Sequence, residues 1–355
     1  MNKKQAHGGD VFRASRLTGL PVHEIIDFSA SINPLGAPSG ALKAAYESLR
    51  KKRKSIQNYP PPHADGLASK IAGKLGADPS QVIPGNGSTE LIYLLPRALK
   101  PRTVLIQNPT FSEYGRAASL AGAGVKAVSS LSFDFDRFSQ AMRFFGADMA
   151  FLCNPNNPTG ELLDRDVVAG LAREAKKARC HLVVDEAFID FCPGQSLTED
   201  ALQCKNPWLI ILRSMTKFYA LTGLRMGYAV FGSAKTARKV MEYKEPWSIN
   251  IPAMEAATAA LDDEEHGEKT LRLIEKEKAY IGRQLKEAGI WHLPPAANFF
   301  LIKLDKPEGL IKRLFQKGIL VRDCSNFEGL YPGFIRFAIK KRRENRLLLR
   351  AIRDF

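Results

Sequence analysis

Short apolar runs bounded by turn residues recur along the chain: Thr103-Val-Leu-Ile-Gln107, Met149-Ala-Phe-Leu-Cys153, His181-Leu-Val-Val-Asp185 and Trp208-Leu-Ile-Ile-Leu212. Runs of this length without polar alternation fit strands buried on both faces, as in a parallel sheet covered by helices. Helical stretches at 38–54, 65–76 and 164–179 lie before and between them. The alternation predicts an α/β fold: an α/β/α layered unit with a mostly parallel sheet. Past Gly232 the pattern is helical over roughly 234–289, broken at Glu245-Pro246-Trp247 and Ile251-Pro252. Strands and helices then alternate at 298–303, 307–317, 319–324 and 334–339. The beginning carries a short amphipathic helix, Val11–Leu17, and Ile25–Gly36, a strand running into a turn. The expected organisation is a large domain over 46–249 and a smaller α+β domain built from 1–45 and 250–355.

With 45% hydrophobic and 25% charged residues, the chain of 355 reads as a soluble globular protein of about two domains. No apolar stretch approaches the ~20 residues that cross a bilayer, so no membrane association is expected. The basic beginning, Met1-Asn-Lys-Lys-Gln-Ala-His7, lacks the apolar core of a signal peptide, and a cytoplasmic location is expected. Five scattered cysteines without metal-ligand spacing predict reduced thiols and no metal. The net charge of +15 is dispersed, its densest runs being Arg50–Lys54 and Lys340–Arg343. That distribution argues against nucleic acid and suits solvated helix ends, or a positive field that draws in a small polyanion.

The chemistry centres on Ser214-Met-Thr216-Lys217, just past a predicted strand, with Gly223 and Arg225 following. A lysine amine condenses with an aldehyde, while hydroxyls and a guanidinium suit a phosphate dianion. Pyridoxal 5'-phosphate carries both groups. The turn Gly85-Asn-Gly87-Ser88-Thr89 running into a helix is a second anion site, made of backbone N–H groups and the positive end of a helix dipole. Asp185, at a strand end, is placed to keep a pyridine nitrogen protonated and so strengthen the cofactor as an electron sink. Tyr59 lies in Asn58-Tyr-Pro-Pro-Pro62, where consecutive prolines hold an extended loop. Arg336 sits mid-strand among apolar neighbours, a costly position without an anionic partner.

The segment from Ser214 to Arg225 resembles the lysine signature of the fold-type I aminotransferase family, and the string Asn154-Pro-Asn-Asn157-Pro-Thr-Gly160 agrees with it. The resemblance implies a type I fold and pyridoxal phosphate on Lys217. It assigns Gly87, Ser88, Thr89, Ser214, Thr216 and Arg225 to the phosphate. Asn157 would bond the phenolic oxygen and Asp185 the ring nitrogen, with Phe111 stacked on the ring and Tyr114 as the alternative. It further implies a homodimer in which Tyr59 reaches the neighbour's cofactor, and an Arg336 that binds the substrate carboxylate. The opening His7-Gly-Gly-Asp10, the stretch Asp27-Phe-Ser-Ala-Ser-Ile-Asn33-Pro-Leu-Gly36 and Val321-Arg322-Asp-Cys324 are similar to threonine-phosphate decarboxylases of cobalamin biosynthesis. His7, Asn33 and Arg322 are then expected on the substrate side, with Arg322 on its phosphate. Phe188 stands where histidinol-phosphate aminotransferases usually carry a tyrosine. The expected reaction is loss of CO2 from L-threonine O-3-phosphate, giving (R)-1-amino-2-propanol O-2-phosphate. Histidinol-phosphate aminotransferase is the alternative.

Overall fold

The computed structural model describes residues 8–50, 54–203 and 205–355; His7 lies outside them. Seven strands form the main sheet: β2 (Val82–Gly85), β3 (Thr103–Asn108), β4 (Gly124–Ser129), β5 (Met149–Cys153), β6 (His181–Asp185), β7 (Leu209–Ser214) and β8 (Gly227–Phe231). The short β1 (Ile26–Asp27) precedes them in the chain. Their order is β2-β8-β7-β6-β5-β3-β4, parallel from β7 to β4, with β8 antiparallel to both of its neighbours.

Successive strand residues point to opposite faces, and both faces are covered. Leu182, Val184, Leu209 and Ile211 pack toward the helices Asp65–Leu75, Phe135–Phe144 and Arg165–Ala178. Val183, Ile210 and Leu212 face the helices Ser88–Leu99, Glu113–Leu120 and Ala234–Met241. This double burial is the physical reason the central strands read as unbroken apolar runs. The edge strand β4 escaped the pattern because most of it is exposed. The apolar β8 follows the lysine segment and had been passed over there.

Four further strands, β9 (Phe299–Lys303), β10 (Ile319–Leu320), β11 (Arg322–Asp323) and β12 (Phe334–Ala338), follow in the C-terminal part. The antiparallel sheet β11-β12-β9 puts Ile302, Ile335 and Phe337 against the helices Glu264–Glu287, Glu308–Gln316 and Arg342–Arg353. The start of the chain joins this part: β1 pairs with β10, and Ala338 N donates to Phe28 O at 2.8 Å.

The predicted helical stretch 234–289 resolves into Ala234–Met241, Ile251–Ala260 and Glu264–Glu287. Asn250 caps the second by accepting from Ala253 N at 2.8 Å, and Asp263 caps the third through His266 N at 3.0 Å. The helices Ser39–Arg50 and Ile251–Ala260 place Ala41, Ala253, Ala256 and Ala257 in the core beneath the main sheet. Among the described residues, no helix is long and apolar enough to cross a membrane.

Candidate active site

In a parallel sheet the loops leaving the carboxyl ends of the strands gather along one edge, where ligands bind. Here the loops after β3, β5, β6 and β7, the start of helix Ser88–Leu99 and strands β11 and β12 enclose a cavity of about 640 Å³.

One end of the cavity is built for an anion. Helix Ser88–Leu99 starts at Gly87 (φ +75°) with no side chain capping its first N–H groups, and Ser88 and Thr89 line the cavity. Ser214 Oγ and Thr216 Oγ1 lie 2.8 Å apart beside it. Arg225 completes the cradle from a left-handed backbone (φ +64°), a conformation that costs a side-chain-bearing residue about 1–2 kcal/mol. A Cβ on Gly87 would stand 2.6 Å from Arg225 Nη2, and one on Gly227 would stand 2.5 Å from Ser88 N. Two glycines therefore let the guanidinium and β8 close on the helix start.

The Lys217 amine is half-buried in the cavity, and its partial desolvation together with the Arg336 and Arg225 charges pulls its pKa down to about 8. An amine so depressed is neutral and nucleophilic in about one molecule in ten at pH 7, several hundred-fold more than an ordinary lysine. Asp185 is held on both oxygens: Tyr114 Oη donates to Oδ2 at 2.6 Å and Ala187 N to Oδ1 at 3.0 Å. Burial raises its pKa, while Tyr114, Ala187 and Lys217 work in the opposite direction. Among the described residues, no cationic side chain hydrogen-bonds to it, and a protonated ring nitrogen would supply the missing cation. Phe111 and Tyr114 both border the cavity, and Tyr114 is fully buried with its ring on Phe151 at 4.9 Å. The amine, the carboxylate and the anion cradle match the aldehyde, ring nitrogen and phosphate of pyridoxal phosphate.

On the opposite wall Arg322 and Arg336 are direct partners across the antiparallel pair β11–β12, so both side chains leave the same face. Like charges placed opposite one another destabilise a sheet, and each is further lowered by burial, Arg336 to about 10. Arg336 donates to Asn157 Oδ1 and, at 2.8 Å, to Ser29 O, while its buried Nε has no partner among the described residues. Arg322 donates to Asn326 Oδ1 at 2.7 Å. Such a wall is poised for a substrate with more than one anionic group.

Two expected site residues lie outside this cavity. Asn33 does not face the cavity: its side chain donates to Phe218 O and Thr270 Oγ1, both at 2.7 Å, and accepts from Leu35 N at 2.9 Å. With its backbone N donating to Lys217 O at 3.0 Å, Asn33 clamps the lysine loop instead. Tyr59 is 80% exposed and packs on Trp247 at 4.9 Å, outside the cavity of its own chain. Ser29, whose carbonyl holds Arg336, and the cavity-lining Phe327 and Lys340 went unnoticed in the sequence. Ser29 lies within the stretch Asp27–Gly36 and Lys340 in a basic run, while Phe327 carries no signal.

The profile of the aminotransferase class I and II family matches residues 23–352. The chain is 34% identical over 354 residues to a threonine-phosphate decarboxylase of Salmonella typhimurium, covering 98% of this chain and 96% of that protein. Among solved structures it resembles a histidinol-phosphate aminotransferase from Clostridium acetobutylicum, with TM-score 0.84, 31% identity and coverage of 93% and 98% of the two chains. An L-threonine-O-3-phosphate decarboxylase from Porphyromonas gingivalis superposes with TM-score 0.80 at 27% identity, covering 93% and 99%. The chain thus belongs to the aminotransferase class I and II family, and it is an enzyme whose cofactor is pyridoxal 5'-phosphate.

Proposed function

We propose that the enzyme decarboxylates L-threonine O-3-phosphate to (R)-1-amino-2-propanol O-2-phosphate and CO2, a reaction of cobalamin biosynthesis. The observation that carries the substrate class is the buried Arg322–Arg336 cross-strand pair on the cavity that also holds Lys217. Threonine phosphate offers a carboxylate and a phosphate to those two cations. Likeness to the Salmonella decarboxylase over nearly the full chain favours loss of the carboxylate over transamination. So does Phe188, which lines the cavity, packs edge-on against Phe299 at 5.1 Å and has no hydroxyl to offer.

Bound pyridoxal phosphate supplies the electron sink for the bond that breaks at Cα. Ser88, Thr89, Ser214, Thr216 and Arg225 hold its phosphate, with Gly87 leaving room for the guanidinium. Asp185 would hold the ring nitrogen, Asn157 would donate through its amide nitrogen because its Oδ1 serves Arg336, and Phe111 would cover the ring. Arg336, fixed by Asn157 and Ser29, takes the substrate carboxylate in a bidentate grip, and Arg322 takes the phosphate. Together they would fix the orientation of the substrate carboxylate and phosphate in the cavity. With the cofactor bound, the Lys217 amine would be the group that returns a proton to Cα. His7 belongs to the substrate side in this reading, and Tyr59 to the cavity of a second copy in a homodimer. The enzyme acts in the cytoplasm.

The alternative, histidinol-phosphate aminotransferase, draws on the same arginine pair and on the Clostridium acetobutylicum likeness. Adding histidinol phosphate alone to the pyridoxal phosphate enzyme separates the two. A decarboxylase leaves the cofactor spectrum in its aldehyde form, whereas stoichiometric conversion to the amine form would move the chain to the aminotransferase.

A further inference from the structure

We propose that Tyr114 is a positioning residue for Asp185, acting on the cofactor through that carboxylate and not as a ring stacked on it. The inference rests on the cofactor and on no particular substrate. Tyr114 is fully buried near the start of helix Glu113–Leu120. Its ring lies nearly flat on Phe151 of β5, at 4.9 Å and 9°, and meets Phe111 edge-on at 5.6 Å. From there the phenol donates to Asp185 Oδ2 at 2.6 Å, while Ala187 N holds Oδ1 at 3.0 Å and Asn154 N binds the Asp185 carbonyl at 2.9 Å. Donors on both oxygens stop the carboxylate from rotating, and each oxygen keeps an acceptor position for the ring nitrogen.

The other titratable groups nearby do not replace the phenol. Cys153 on β5 is the register partner of Asp185, and burial pushes its thiol up to about 12, so it is neutral. Glu186 turns away to Ser196 and Leu197 N, and Glu113 accepts from Tyr93. Arg336 acts on Cys153 from β12. Lys217 is the cation that draws the Asp185 pKa down, and it is the residue the cofactor engages. Burial and the Asp185 charge hold the Tyr114 hydroxyl well above its ordinary pKa, so it remains a donor throughout the working range.

Tyr114→Phe removes one hydroxyl and keeps the ring on Phe151. A charge-assisted hydrogen bond that favours the carboxylate is lost, so the Asp185 pKa rises further and its ionised form fails at higher pH. From the usual strength of such bonds, the acid limb of cofactor binding moves up by about one pH unit or more, and affinity at neutral pH falls about tenfold or more. The test titrates the apo-enzyme with pyridoxal phosphate, without substrate, from pH 5 to 9, alongside apo thermal melts. An unchanged Kd and an unmoved acid limb in a folded Tyr114→Phe protein would overturn the proposal. Asp185→Asn, alone and combined with Tyr114→Phe, provides the second arm. If the phenol acts only through Asp185, its removal adds no further loss of affinity in the Asp185→Asn background; an additive loss would contradict the assignment. A negative decarboxylation assay would leave this experiment untouched, because it needs no substrate.

Discussion

Replacing Arg336 by alanine separates what holds the substrate from what holds the cofactor. In the free enzyme the guanidinium donates to Asn157 Oδ1 and to Ser29 O, and its charge lies opposite Arg322 on the next strand. Its removal leaves two acceptors without this donor, at about 1–3 kcal/mol each if they stay dry. It also removes a buried repulsion across the strand pair, which works the other way. The apo-enzyme is therefore expected to lose about 1–6 kcal/mol, the two lost bonds less about 0.2–1 kcal/mol of relieved repulsion. The substrate carboxylate, by contrast, loses its desolvated bidentate partner, worth about 3–5 kcal/mol. That corresponds to a fall of about 10²–10⁴-fold in kcat/KM. Pyridoxal phosphate affinity should change by less than about fivefold, because its phosphate, ring nitrogen and aldehyde contact other residues. Because the Arg336 charge depresses the Lys217 pKa, Arg336→Ala should also move that pKa up from about 8. Steady-state kinetics beside cofactor titration reads both effects. Equal losses of cofactor and substrate affinity, or a kcat/KM reduced less than tenfold, would refute the role.

Further outcomes follow from the same geometry. Lys217→Met should stabilise the apo-enzyme at pH 7 by about 3 kcal/mol, since a lysine drawn from 10.5 to about 8 is disfavoured when charged. The gain is full below pH 8 and vanishes as pH rises toward 10.5, where the unfolded chain also releases the proton; urea melts at pH 7 and 10.5 check it. Asn33→Ala should lower kcat and alter the pH dependence of cofactor absorbance while leaving KM nearly unchanged, because Asn33 holds the Phe218 carbonyl and not the substrate. A raised KM with an unaltered spectrum would return Asn33 to the substrate side. Gly87→Ala should weaken cofactor binding about tenfold or more, as a Cβ 2.6 Å from Arg225 Nη2 displaces the guanidinium and a positive φ strains alanine. Isothermal titration with pyridoxal phosphate measures the loss.

The elements readable in the sequence were those whose residues report their own surroundings. β5, β6 and β7 are buried on both faces and therefore uniformly apolar, and their polar ends, Asp185 and Ser214, mark the edge where the cavity opens. Gly87 was legible because a turn feeding a helix start is a local feature. What stayed hidden depends on pairing between distant segments. The Arg322–Arg336 adjacency comes from strand register, which no local pattern encodes. Asn33 reaches the lysine loop across 185 positions of sequence, and a polar residue before a proline gives no hint of that partner. Phe111 and Tyr114 are three apart and both aromatic; only the placement of the helix start shows that Tyr114 is the ring that meets Phe151.

The central claim is the loss of CO2 from a phosphorylated amino acid. It is tested most directly by giving the pyridoxal phosphate enzyme L-threonine O-3-phosphate labelled in the carboxyl carbon, with no keto acid, and counting labelled CO2 against amine product. One CO2 per aminopropanol phosphate over many turnovers, with the cofactor still in its aldehyde form, is the predicted result. Label retained in a keto acid, with turnover ceasing once the cofactor reaches its amine form, would contradict the account.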